Sequence, residues 1–152
     1  MQLTELLSPE RIKIPLDAST KDEILAELVE VVGANTNVQD LDEVLRAVRE
    51  REEVLSTGIG GGVAIPHGKT AGISDLALVA GVKPEGIDFE ALDGKPVKLF
   101  FLLVGPESAA GQHVKALSRI SRLLRRDSFR VRLMEAKTPE DFYSVIVEAE
   151  AT

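Results

Sequence analysis

The sequence predicts an α/β fold: a single domain with a central mixed β-sheet flanked by helices on both faces. Three observations carry that expectation. Two long apolar runs, Leu76–Val82 (LALVAGV) and Val97–Val104 (VKLFFLLV), have the composition of interior strands covered on both sides. On either side of these runs the apolar residues recur with helical spacing. Finally, 152 residues with 44% hydrophobic content suit one domain, residues 1–152, that buries most of its apolar surface, and no repeat, low-complexity tract or linker divides it.

Arg11–Leu16 (RIKIPL) alternates like a short strand, with Pro15 at an edge or strand end. Thr20-Lys21-Asp22-Glu23 has the form of a capping box and opens a helix whose apolar side is Ile24, Leu25, Leu28, Val31 and Val32. In a second helix Leu41, Val44, Leu45 and Val48 recur at i, i+3, i+4 and i+7, with Asp40 or Asp42 available as the cap. Continued at about 100° per residue, this helix puts Glu52 near the centre of the apolar stripe and Arg51 on its flank. Either the helix ends there, or both charges are partly buried and need partners. Ser56–Thr70 (STGIGGGVAIPHGKT) follows; Pro66 pushes Ile65 into an extended conformation, so Val63–Pro66 reads as a strand ending at His67. Gly86–Leu92 (GIDFEAL) is a short extended excursion and Asp93-Gly94 a hairpin-type turn. Val114, Leu117, Ile120, Leu123 and Leu124 form the stripe of a later helix, with Ser108 as a candidate cap. Asp127–Ala136 and Pro139–Ala149 add the closing helices.

Composition removes several function classes. With no cysteine there are no disulfides, thiolate metal sites or cysteine nucleophiles. The start, MQLTELLSPERIK, places acids and a proline where a signal peptide needs an apolar core, and no apolar run approaches the ~20 residues that span a bilayer, so a cytoplasmic protein without membrane insertion is expected. Lys+Arg 18 against Asp+Glu 25 gives a net charge of −7, which opposes nucleic-acid binding. One basic patch stands out, Arg119, Arg122, Arg125, Arg126 and Arg130, at spacings that read as a solvated outer face of a helix.

The glycine-rich stretch fits neither of the phosphate loops it superficially resembles. A P-loop ending at Gly68-Lys69-Thr70 requires its first glycine where Val63 stands, and a G-x-G-x-x-G fingerprint finishes on Val63 or Ile65, depending on whether it starts at Gly58 or Gly60. What the stretch does provide is an imidazole at a strand end, His67, followed by Gly68, whose freedom to adopt positive φ would let the chain turn and an oxyanion approach the ring. His67 also shares strand parity with Val63 and Ile65, as a core histidine in a tight turn would. The second histidine, His113, precedes Leu117, Ile120 and Leu124 at inward-facing helical spacing. It lies in the first helical turn, where the positive helix end disfavours imidazolium and attracts anions. Two histidines so far apart, without supporting acids at ligand spacing, make a poor metal site.

The run Arg51-Glu52, Ser56-Thr57-Gly58-Ile59-Gly60, then Val63-Ala64-Ile65-Pro66-His67-Gly68, resembles the signature of the fructose/mannitol-type enzyme IIA domains of the bacterial phosphoenolpyruvate:sugar phosphotransferase system, which include the nitrogen-regulatory IIA proteins. The resemblance continues from Leu92 to Leu124 (LDGKPVKLFFLLVGPESAAGQHVKALSRISRLL) and covers essentially the whole chain. It implies that His67 accepts a phosphoryl group from phospho-HPr and donates it to a IIB domain, or that its phosphorylation governs binding to regulatory protein targets. It further implies that Arg51 and His113 neighbour the phosphorylated ring, with Arg49 as the lesser candidate for the arginine; Thr57 and Gly68, in the same stretch as His67, are candidate phosphoryl-binding positions. No nucleotide or other cofactor is implied. Phosphorylation in the family falls on Nε2, which requires Nδ1–H to be held by an acceptor that the sequence does not name. Gly68-Lys69-Thr70 is closer to the fructose type than to the nitrogen-regulatory pattern, while the stand-alone length favours a regulatory phosphoprotein over sugar-specific domains, which are often fused to their partners.

Overall fold

A computed structural model describes residues 1–151. Six strands, β1 (Ile12–Lys13), β2 (Gly58–Gly60), β3 (Val63–Ala64), β4 (His67–Lys69), β5 (Ala77–Ile87) and β6 (Val97–Gly105), form one mixed sheet. Five helices complete it: α1 (Lys21–Asn35), α2 (Leu41–Val54), α3 (Ala110–Leu124), α4 (Asp127–Glu135) and α5 (Pro139–Glu150). The sheet order is β1-β5-β6-β3-β2, with β4 also on β6. β5 and β6 are antiparallel, whereas β1, β3 and β4 join the sheet in parallel.

The core divides across this sheet as strand alternation requires. Leu78, Ala80, Val82, Leu99, Phe101 and Leu103 pack with α3, α4 and α5. The intervening residues, among them Val79, Phe100, Leu102 and Val104, pack with α1 and α2. The two apolar runs are therefore buried on both faces and the helices flank the sheet on both sides, as the sequence predicts. No helix among the described residues is long and apolar enough to cross a membrane.

Three of the five helix starts follow the side-chain chemistry, whereas α3 and α4 follow Ala109 and Arg126 without a side-chain cap. Thr20 Oγ1 accepts from the Glu23 amide and Asp40 from the Glu43 amide, while Thr138 caps α5 through the Asp141 amide. Ser108 does not cap α3: it lies in a 3₁₀ turn, Glu107–Ala109, that runs into the helix, and the residue before α3 is Ala109. The Arg11–Leu16 strand shrinks to Ile12–Lys13, although Leu16 still donates its N–H to the Val82 carbonyl at 2.8 Å. β5 extends to Ile87 and takes in the start of the expected excursion, and Asp93-Gly94 turns within the longer connection that leads to β6, with Gly94 at φ 71°.

Two departures shape the functional region. The second helix does not fray at Arg51-Glu52 but runs to Val54, and Glu52 is 6% exposed. Its carboxylate accepts from the Thr57 amide at 2.9 Å and from the Thr57 hydroxyl, and pairs with Lys21 Nζ at 3.0 Å. The strand expected to end at His67 is instead interrupted at Ile65–Pro66 and resumes through His67–Lys69. Val63, Ala64, His67, Gly68 and Lys69 stay in unbroken parallel register with Leu99 to Gly105 of β6, and the Pro66 carbonyl accepts from Leu103 at 3.1 Å.

Candidate functional site

Strand parity carries His67 and Lys69 to one side of the sheet edge and Gly68 to the other. Gly68 does not take the positive φ expected of it, so it is not a turn residue. A Cβ there would come within 3.3 Å of the Ala47 carbonyl carbon and the Val48 nitrogen, so the residue's lack of a side chain suits the close approach of the α2 backbone to β4. The positive-φ glycines of the stretch are Gly60, Gly61 and Gly62, which turn the chain from β2 into β3.

Around His67 lies a pocket of about 500 Å³ with walls from α2 (Arg46, Arg51, Val54), β4 (Lys69) and α3 (His113, Val114). The rings of His67 and His113 meet edge to face with centroids 5.8 Å apart. His113, at 2% exposure, faces inward as its spacing predicts, and neither ring nitrogen has a hydrogen-bond partner. Nδ1 of His67 lies 2.9 Å from the carbonyl oxygen of Ile65. A carbonyl can only accept, so the proton of the neutral ring sits on Nδ1 and the lone pair on Nε2. The acceptor that the sequence could not name is the backbone two residues upstream.

Burial holds His67 below the ordinary imidazole value, the charges of Arg51 and Lys69 act in the same direction, and the Ile65 carbonyl and Glu52 act against them. Burial also pushes His113 down to about 4, with the charges of His67 and Lys69 adding to it. Both rings are therefore neutral at pH 7. A neutral imidazole with its proton pinned on one nitrogen presents a nucleophile at the other. The cations beside it supply compensation for an anionic electrophile.

Those cations differ in availability. Arg51 gives one Nη1 bond to the Leu55 carbonyl at 2.9 Å and keeps the rest of its fork, whereas Arg46 is spent on Glu43 and Glu50. Arg49 points elsewhere, paired with Asp22 at 2.8 Å beside a larger concavity of about 870 Å³ on the other side of α2. In that concavity Lys21 and Glu52 also neutralise each other, and no histidine reaches it. Thr57 is buried away from the His67 pocket, its hydroxyl and amide both committed to Glu52. Lys69 lies beyond the strand end that the sequence predicts at His67, and it joins the pocket because β4 continues through it. The exposure of Val114, at 62%, follows from its place one residue round the helix from His113, and it lines the mouth of the pocket instead of joining the core stripe. Among the described residues no three His, Asp or Glu side chains converge to hold a metal ion.

Fold and site together define an α/β domain that displays a histidine nucleophile in an anion-attracting pocket at the edge of its sheet. Residues 5–149 match the family described as phosphoenolpyruvate-dependent sugar phosphotransferase system, EIIA 2, and the chain belongs to that family. It is 38% identical over 152 residues to a nitrogen regulatory protein of Bradyrhizobium diazoefficiens, covering 100% of this chain and 99% of that one. It is likewise 38% identical over 146 residues to the fructose-specific EIIABC component of Bacillus subtilis, 96% of this chain but only 23% of that much longer protein. The crystal structure of nitrogen regulatory protein IIA-Ntr from Neisseria meningitidis superposes with a TM-score of 0.87 at 30% identity, over 95% of this chain and 98% of that one.

Proposed function

We propose that the chain is a phosphohistidine carrier, an EIIA unit spanning residues 1–152 and acting in the cytoplasm in a nitrogen-regulatory or sugar-specific role. The Nε2 lone pair of His67 attacks the phosphorus of phospho-HPr; the P–N bond to His67 forms as the bond to the donor breaks. Negative charge on the three equatorial oxygens is met by the free donors of Arg51 and by Lys69. His113, neutral and packed edge-on against His67, limits the positions the phosphoryl group can take without being attacked itself. The group then passes to a IIB domain, or its presence governs binding to regulatory protein targets. The observation that supports this reading above the others is the bond from Nδ1–H to the Ile65 carbonyl, which leaves Nε2 as the nucleophilic nitrogen.

Incubation with phosphoenolpyruvate, enzyme I and HPr, without ATP, should add one phosphoryl group to the wild type and none to a folded His67→Ala protein. The bond should be lost in mild acid and persist in base, the reverse of a phosphoserine or phosphothreonine. A folded His67→Ala protein that still accepts the group ends the proposal. Both roles use His67, so transfer of label from the phosphorylated domain to a fructose- or mannitol-type IIB domain separates them: efficient transfer supports the sugar-uptake role, and none supports the regulatory one.

A further inference from the structure

The structure splits the basic patch of the sequence in two. Arg119 is held by Glu150 at 2.9 Å, and Arg130 by the Leu124 carbonyl and Asp127. Arg122, Arg125 and Arg126 have no acceptor for their guanidinium groups, although every other arginine among the described residues has one, from Arg11 on the Leu6 carbonyl to Arg132 on Glu148. All three are exposed. They lie within five residues at the junction of two helices: Arg122 stands in the last turn of α3, Arg125 caps its end, and Arg126, in an extended conformation, precedes α4. Three like charges within five residues find no compensation at the junction, and the acids that pair with the other arginines of the patch, Glu150 and Asp127, are taken by Arg119 and Arg130. The folded chain alone gains nothing from the cluster.

We propose that the junction of α3 and α4 is a docking surface for an acidic segment of a partner protein, whose carboxylates seat on the forks of Arg122, Arg125 and Arg126. Planar guanidinium groups pair with carboxylates through two parallel hydrogen bonds, a geometry that lysine cannot offer, and there is no lysine between Lys115 and Lys137. One exposed apolar residue follows the cluster on α4, Val131 at 48%. Apolar surface beside arginine is the make-up of a protein–protein interface, and it has no counterpart on a phosphate backbone. The net charge of −7 further opposes the long-range approach of a nucleic acid or an anionic membrane, while a compact acidic segment can engage a local cationic cluster. None of the three arginines lines the His67 pocket, so the inference stands apart from the phosphoryl-transfer reading.

The test is a titration of the isotopically labelled protein with a synthetic glutamate-rich peptide, followed through the guanidinium Nε–H signals. Shifts should concentrate on Arg122, Arg125, Arg126 and the adjoining turn, weaken as salt rises, and require about tenfold or more peptide in the R122E/R125E/R126E variant. A triple arginine-to-glutamine variant serves the same comparison if charge reversal disturbs the fold, and circular dichroism checks both. Equal affinity in wild type and variant, or shifts located elsewhere, overturns the proposal. So does tighter binding of duplex DNA or phosphatidylserine vesicles than of the peptide at the same arginines.

Discussion

A single hydrogen bond, from Nδ1 of His67 to the Ile65 carbonyl, decides which ring nitrogen can react, and burial of the ring, with the charges around it adding to or opposing it, decides at what pH. The nucleophile is the neutral ring, so transfer fails as pH falls through the lowered His67 value, and the acid limb of the rate profile should lie below the ordinary imidazole value of 6.5. Arg51→Ala removes a charge that depresses His67, so the limb should move to higher pH; a limb that moves down contradicts the assignment. The same substitution should slow transfer by about 100-fold or more, the size of one donor aimed at charge that builds in the transition state. Arg49→Ala, which breaks only an exposed pair with Asp22, should cost less than about threefold. His113→Ala should leave phosphorylation of His67 detectable but roughly tenfold slower, as expected of a group that orients the phosphoryl without bonding to it. Equal rates for wild type and mutant in a quenched time course reject that role. His113 also links pH to stability. Between 6.5 and about 4 the unfolded chain protonates this histidine and the folded chain does not, so stability should fall through that window by up to about 3 kcal/mol. Urea unfolding of His113→Gln should show a visibly flatter dependence over the same range.

At the scale of elements, the site depends on how closely α2 and β4 approach. Gly68→Ala places a methyl within 3.3 Å of the α2 backbone, and neither main chain can yield cheaply. Overpacking of this kind should destabilise by about 1–3 kcal/mol in urea denaturation and should also lower the transfer rate, because α2 carries Arg51. Glu52→Ala strands the Thr57 amide and hydroxyl and leaves Lys21 uncompensated, an expected loss of about 2–3 kcal/mol. The sequence made much of this legible. The charge interrupting the α2 stripe did mark buried Glu52 with Arg51 beside it, and His113 did face inward. Thr57 and Gly68 were legible as special positions, but what they touch was not: Thr57 is committed to Glu52, a contact set by the loop after Leu55, and Gly68 to a helix distant in sequence. The acceptor for Nδ1 was illegible for a similar reason. It is a backbone carbonyl, and its direction depends on how the chain passes Pro66 between β3 and β4.

For the whole molecule, period-two and period-3.6 patterns sufficed to predict the two-sided α/β architecture, because both central strands are buried on each face and every helix has one apolar side. Strand order is where pattern reading stops: nothing local in Val63–Lys69 announces a parallel partner in Val97–Gly105. That pairing puts His67 at the sheet edge, where α2 from one face and α3 from the other close around it, so a cation and a neutral ring from opposite layers share one pocket. The proposed transfer requires that this pocket direct a phosphoryl group to one nitrogen of one histidine. The most direct test is nuclear magnetic resonance of the nitrogen-15-labelled protein after phosphorylation by phosphoenolpyruvate, enzyme I and HPr, reading the ring-nitrogen couplings to phosphorus. Phosphorus on Nε2 of His67, with Nδ1 still protonated, is the expected result; phosphorus on Nδ1, on His113 or on a hydroxyl would contradict it.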